Sequence, residues 1–158
     1  MIQDTFNNMS QERFIELCLE QAKKAYLLGE VPVGCVVVKD HKVIAQAHNC
    51  VEKLKDPTAH AEMLALAFAS KHLGEKYLYG CHVYVSLEPC VMCAYAMILR
   101  RVEKVVFFAQ DYKHGGVMSM YNLLDDVRLN HMVKWEYLPV EEAQKLMKDF
   151  FKNLRDQR

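Results

Sequence analysis

The sequence predicts an α/β fold in which a central mixed sheet of about five strands carries helices on both faces, three layers deep. Two observations carry this expectation. Short β-branched and apolar runs alternate with helix-length segments whose apolar residues recur every three to four positions. The stretch from His82 to Ala109 also reads strand, helix, strand, a crossover that brings its two strands together in parallel.

Ser10 is the expected N-cap of a first helix, with Phe14, Leu17, Cys18, Ala22, Ala25 and Leu28 on one face and Gly29 as its stop. Val33–Lys39 and Val43–His48 read as strands around a tight turn at Asp40–His41. Pro57 and Thr58 precede a helix with Ala61, Leu64, Ala65, Phe68, Ala69 and His72 at helical spacing. Met63, Leu66 and Ala67 on its other side predict burial almost all round. His82–Leu87 is a third strand, Cys90–Arg101 a second buried helix and Lys104–Ala109 a fourth strand. Val133, Trp135 and Tyr137 alternate with Lys134 and Glu136, as in a half-exposed edge strand. Ala143, Leu146, Met147, Phe150 and Leu154 form the apolar face of a last helix. No repeat, low-complexity tract or Pro/Gly/Ser-rich linker interrupts the chain, so residues 1–158 are expected to form one domain.

Composition excludes several classes. The chain is 52% hydrophobic and 25% charged, ordinary globular values rather than those of a disordered or fibrous protein. Its longest uninterrupted apolar run, Cys90–Leu99, is ten residues long, whereas a membrane span needs about 20. Asp4, Glu12, Arg13, Glu16 and Glu20 interrupt the start of the chain, so no secretory signal and a cytoplasmic location are expected. Twenty basic residues balance twenty acidic ones, which argues against a strong non-specific nucleic-acid binder. A local basic excess remains near the end, where Lys145, Lys148, Lys152, Arg155 and Arg158 face only Asp149 and Asp156. In a reducing compartment the six cysteines are not expected to form disulfides. Cys18, Cys35 and Cys81 lie in apolar surroundings and read as core. Cys90 and Cys93 differ, forming a close pair directly after a proline.

Two short motifs carry chemistry: His60-Ala61-Glu62 at the start of one helix and Pro89-Cys90-Val91-Met92-Cys93 at the start of the next. Cysteines at i and i+3 share a helix face, and the positive end of the helix dipole favours their thiolates. Both helices start at the same end of the expected sheet, so His60, Cys90 and Cys93 could converge on one zinc. Three protein ligands leave a fourth tetrahedral position for water, the catalytic rather than the structural arrangement. Glu62 is then the natural proton shuttle beside that position. Separately the motifs say less. A lone His-x-Glu is more often packed or exposed than ligating, and a Cys-x-x-Cys can be a redox pair or half of a structural zinc site. The redox reading lacks a supporting context, and the structural reading lacks a second close Cys/His pair.

His-x-Glu followed by Pro-Cys-x-x-Cys is the signature of the zinc nucleobase and nucleoside deaminases, the cytidine/deoxycytidylate deaminase superfamily. The longer strings Glu30-Val-Pro-Val-Gly34, Asp56-Pro-Thr-Ala-His-Ala-Glu62, Leu87-Glu-Pro-Cys-Val-Met-Cys-Ala94 and Val105-Val-Phe-Phe-Ala-Gln-Asp111 resemble the bacterial tRNA adenosine deaminases. Asp149-Phe-Phe151 is similar too, so the likeness runs from about Arg13 to Phe151. The resemblance implies a cytidine-deaminase-like fold, one Zn2+ per subunit, a homodimer, and conversion of the wobble adenosine of a tRNA anticodon stem-loop to inosine. Neither DNA nor a membrane is an expected partner. It further implies that Glu62 takes a proton from the attacking water, passes it to purine N1 and later protonates the departing ammonia. Asn49 matches a base-contacting asparagine, the Ala61 amide a group lining the pocket, and Asp111 an acidic residue facing the sugar–phosphate of the target nucleotide. Three places depart from the family pattern. Gln110 replaces an arginine, Tyr95 stands where glycine is common, and Lys113-His-Gly-Gly-Val-Met-Ser119 keeps only part of the run usual there.

Two other readings use the same motifs. Deaminases of free guanine share His-Ala-Glu and Glu-Pro-Cys-x-Met-Cys, so a deaminase of free guanine or a free nucleoside is the first alternative. The second is a non-catalytic zinc-binding subunit that helps to grip tRNA. Such a subunit would be expected to have lost its proton shuttle, whereas Glu62 is present.

Overall fold

The first helix begins where its cap predicts. Ser10 accepts a hydrogen bond from the Arg13 amide (3.3 Å), and α1 (Gln11–Leu27) follows in the computed structural model, which describes residues 10–157. β1 (Gly34–Lys39) and β2 (Lys42–His48) pair antiparallel through a two-residue turn. Asp40 and His41 both take positive φ there (52° and 61°), the backbone sense that matches the twist of a hairpin. The chain continues through a short α2 (Val51–Leu54), α3 (Ala61–Leu73), β3 (Cys81–Val85), α4 (Val91–Leu99) and β4 (Lys104–Phe107). A 3-10 turn (Leu123–Asp125), β5 (Lys134–Tyr137) and α5 (Glu141–Asp156) complete it.

The five strands lie in the order β2-β1-β3-β4-β5. β1 pairs antiparallel with β3, while β3–β4 and β4–β5 are parallel, with Val83 opposite Val105 and Phe107 opposite Tyr137. This is the expected mixed sheet: the predicted crossover generates the parallel β3–β4 pair, and the connection through residues 108–133 makes β4–β5 parallel as well. Both faces are covered. Phe14, Leu17 and Cys18 of α1 and Ala143 of α5 pack on Val36, Val38, Tyr84 and Val106. Ala65, Leu66 and Ala69 of α3 and Ala94 and Met97 of α4 pack on Cys35, Val37, Val83 and Val105. Successive strand residues point to opposite faces, so a strand covered on both sides must be apolar throughout, which explains the unbroken run Cys35–Val38. At the start of β1 a Cβ on Gly34 would stand 2.1 Å from the Cys18 carbonyl oxygen, so only glycine lets α1 approach there.

Several expectations need correction. α3 is not buried all round: Ala61, Ala65, Leu66 and Ala69 face the sheet while Ala67 and Phe68 are exposed, Phe68 by 49%. Likewise α4 buries Cys93, Ala94, Ala96, Met97 and Ile98 but exposes Val91, Tyr95 and Leu99. One helix layer lies on each sheet face, and nothing among the described residues covers these outer positions. Leu28 lies beyond the last helical turn as a C-cap and is exposed, as is Leu154 on α5. The α2 helix and the 3-10 turn are additions to the expected elements.

Topology fixes where the helices begin. β2 and β3 run in the same direction, because each is antiparallel to β1. α3 follows β2 after the short α2, and its first amide, that of Ala61, bonds back to Asn49 at the end of β2, while α4 leaves the end of β3, so both helix N-termini stand at one end of the sheet.

Candidate active site

His60 and Cys90 occupy equivalent positions. Each is an N-cap in extended conformation (His60 φ −73°, ψ 151°; Cys90 φ −73°, ψ 173°), and neither side chain caps its own helix. That leaves both free to turn toward the gap between the two helix ends. His60 stands outside the helix whose first turn carries Glu62, so the two side chains need not share a helix face, as residues two apart within a helix could not, to serve one site. Cys93, in the first turn of α4, completes the cluster. His60 Nδ1 lies 3.6 Å from Cys90 Sγ and 3.5 Å from Cys93 Sγ, and all three donor atoms fall within 4.8 Å of one another. Nitrogen and sulfur bound tetrahedrally to one zinc, at about 2.0–2.1 and 2.3 Å, are separated by roughly 3.6 Å. The donor set therefore fits zinc in both chemistry and spacing.

Electrostatics support the same use. A hydrogen bond from Cys93 and the nearby His60 lower the Cys90 thiol to about 4, while pairing with Cys90 and burial raise Cys93. The Cys90 sulfur in turn raises the His60 imidazole. Cys90 is thus the ready thiolate of the pair, and a metal needs its thiol ligands deprotonated. Glu62 is 4% exposed. Burial pushes its carboxyl up to about 7, against the opposing pull of its own amide and of His60. A carboxyl poised there can take and return a proton near neutral pH.

Asn49 and Ala61 meet directly: Asn49 Oδ1 accepts from the Ala61 amide at 2.7 Å, which ties the end of β2 to the start of α3. Asn49 is buried, and its side-chain nitrogen makes no hydrogen bond among the described residues. Asp111 follows β4 at the same end of the sheet. Its Oδ1 accepts from the amides of Lys113 and His114, so the side chain also shapes the turn that carries it. The six residues singled out from the sequence, His60, Glu62, Cys90, Cys93, Asn49 and Asp111, all come from segments that end or begin at this edge, as does the Ala61 amide.

Two buried carboxylates escaped the sequence reading. Glu30 accepts from the amides of Glu52 (3.0 Å) and Lys53 (2.8 Å) and so holds the short α2. Glu88 accepts from the amides of Asp111, Val117, Met118 and Ser119. The available signal was a charged residue set inside an otherwise apolar motif, Leu87-Glu88-Pro89, immediately before the metal pair.

A fold with paired helix N-termini, a His/Cys/Cys donor set and a buried carboxyl beside it defines a hydrolase of the zinc deaminase class. The chain belongs to the cytidine and deoxycytidylate deaminase zinc-binding family, whose model matches residues 8–109. It is 57% identical over 148 residues to the tRNA-specific adenosine deaminase of Aquifex aeolicus (strain VF5), spanning 94% of this chain and 98% of that protein. Identity to the tRNA-specific adenosine deaminase of Bacillus subtilis (strain 168) is 44% over 145 residues, 91% of this chain and 90% of that one. A solved structure from a study of A-to-I editing by tRNA:A34 deaminases superposes with a TM-score of 0.83 at 36% identity, covering 86% of this chain and 99% of its own.

Proposed function

We propose that this protein hydrolytically deaminates the wobble adenosine of a tRNA anticodon to inosine, as a homodimer with one zinc per subunit held by His60, Cys90 and Cys93. The observation that carries the reading is the buried Glu62 carboxyl beside three donors spaced for zinc. The relatives' shared activity supports the choice of substrate. The exposed stripe Val91, Tyr95 and Leu99 along α4 supports self-association, since an apolar patch of that kind marks an interface. Residues 1–158 act as one deaminase domain in the cytoplasm on this reading. Among the described residues, no helix is long and apolar enough to cross a membrane.

When bound, zinc supplies an acidified water as nucleophile. Everything else falls to the chain. Glu62 accepts the proton of the attacking water and delivers it to purine N1; it then takes the proton of the new C6 hydroxyl and passes it to the amino group, which leaves as ammonia while the C6 carbonyl forms. The Ala61 amide lines the pocket and holds the Asn49 side-chain oxygen, which leaves the Asn49 side-chain nitrogen to orient the base, and Asp111 faces the sugar–phosphate. An anticodon base is already unpaired, so drawing it into the site costs little.

A neutral protein must hold RNA with few charges. Lys145, Lys148, Lys152 and Arg155 are all exposed on α5, on the sheet face opposite α3 and α4. A Lys148→Ala/Lys152→Ala double variant is expected to weaken stem-loop binding and flatten its salt dependence, by roughly 0.7 in log–log slope for each phosphate that is no longer neutralised. Zinc content stays unchanged. A salt titration with unaltered affinity and slope would remove this helix from the RNA site.

The activity itself is tested by offering the zinc-loaded protein an anticodon stem-loop with adenosine at the wobble position beside free adenosine, guanine and cytidine. Inosine is expected from the stem-loop alone; turnover of free guanine instead would establish the first alternative.

A further inference from the structure

Glu88 lies between the end of β3 and the turn carrying Cys90, and is 2% exposed. Five donors of one loop converge on its carboxylate. Oε2 accepts from the amides of Val117 (3.1 Å), Met118 (2.9 Å) and Ser119 (3.0 Å). Oε1 accepts from the Asp111 amide (3.1 Å) and the Ser119 hydroxyl (2.5 Å). An ionised carboxylate can accept at both oxygens in this way; a glutamine offers one acceptor oxygen and turns its NH2 group against at least one backbone amide donor.

The loop is pressed onto this anchor and onto the metal turn together. A Cβ on Gly115 would stand 2.3 Å from Glu88 Oε2, and one on Gly116 would stand 2.6 Å from the Val91 nitrogen. The Gly116 amide donates to the Pro89 carbonyl (2.8 Å), and Cys90 and Gly115 form an antiparallel bridge. Gln110 extends the same network: its Nε2 donates to Ser119 Oγ (3.4 Å) and its Oε1 accepts from the Tyr112 hydroxyl (3.0 Å). Both limbs of the loop, Gln110–Asp111 and Val117–Ser119, therefore depend on one side chain.

We infer that Glu88 is a positioning residue for the substrate: it clamps the 110–119 loop against the metal turn and so sets where Asp111 stands relative to the target nucleotide. This rests on the reading of Asp111 as a substrate contact. Burying a carboxylate is costly, and here all of its partners come from the one loop that carries a substrate residue.

The test compares wild type, Glu88→Gln, Asp111→Ala and the double variant, each zinc-loaded. Hydrogen exchange at the amides of Val117, Met118 and Ser119 is expected to accelerate in Glu88→Gln, with the α3 amides unchanged. KM for the stem-loop is expected to rise about tenfold with kcat changed less than about threefold, the pattern of weakened substrate binding rather than impaired chemistry. The double variant should be no worse than Asp111→Ala, because coupled residues are not additive. A folded Glu88→Gln with unchanged loop exchange or wild-type KM, or strict additivity with Asp111→Ala, would overturn the inference. Should Glu88→Gln fail to fold, Ser119→Ala removes one of the five donors to Glu88, together with the acceptor of Gln110; a smaller KM rise with faster loop exchange supports the clamp, and wild-type values for both refute it. A wild type that leaves the stem-loop unreacted contradicts the tRNA reading instead, and loop exchange in the variants still decides whether Glu88 holds the loop.

Discussion

Glu62→Ala is expected to lose turnover by about a thousandfold or more while keeping about one zinc per chain. A positioned acid–base group contributes on the order of 10²–10⁴ in rate, and Glu62 handles the proton in more than one step. Its place explains why metal should survive. His60 Nδ1 and the two sulfurs already occupy three corners spaced for zinc, and the carboxyl is free to serve the fourth. Burial also holds Glu62 near neutrality, at about 7, a value suited to exchanging protons rather than to a permanently ionised ligand. Elemental analysis paired with an activity assay checks this. A zinc-free Glu62→Ala would make Glu62 a ligand and overturn its assigned role.

His60→Ala or Cys90→Ala should instead lose metal and stability together. A ligand that binds only the folded state adds its binding energy to folding, about 4 kcal/mol when present at a thousandfold over its Kd. For a chain of this size that corresponds to a fall of about 10 °C in Tm. Both side chains are N-caps that cap nothing, so their removal should cost the helices little beyond the metal. Chelator should therefore bring wild type down to the Tm of either variant and leave the variants where they are. A variant that melts with metal-loaded wild type would place the metal elsewhere.

How far the sequence reaches follows from the range of each interaction. Ser10, Gly29 and the Asp40–His41 turn act within a few residues, and their cap, helix stop and hairpin can be read locally. The metal cluster spans some 30 residues between His60 and Cys90, yet it is readable because the strand–helix–strand order places both helix starts at one sheet end. The exposed Phe68 is misjudged because the helix pattern is apolar on two sides, and composition does not reveal which side the sheet takes. The α2 helix and the loop after Asp111 escape for a different reason. They are held by Glu30 and Glu88, whose partners lie 22 to 31 residues away, and no local pattern announces such a bond.

Action of these residues on adenosine within tRNA is tested most directly by a mass analysis of an anticodon stem-loop after incubation with the zinc-loaded protein. Replacement of the wobble adenosine by inosine is expected, with free adenosine, guanine and cytidine untouched in the same tube. An unreacted stem-loop beside a consumed free base would contradict it.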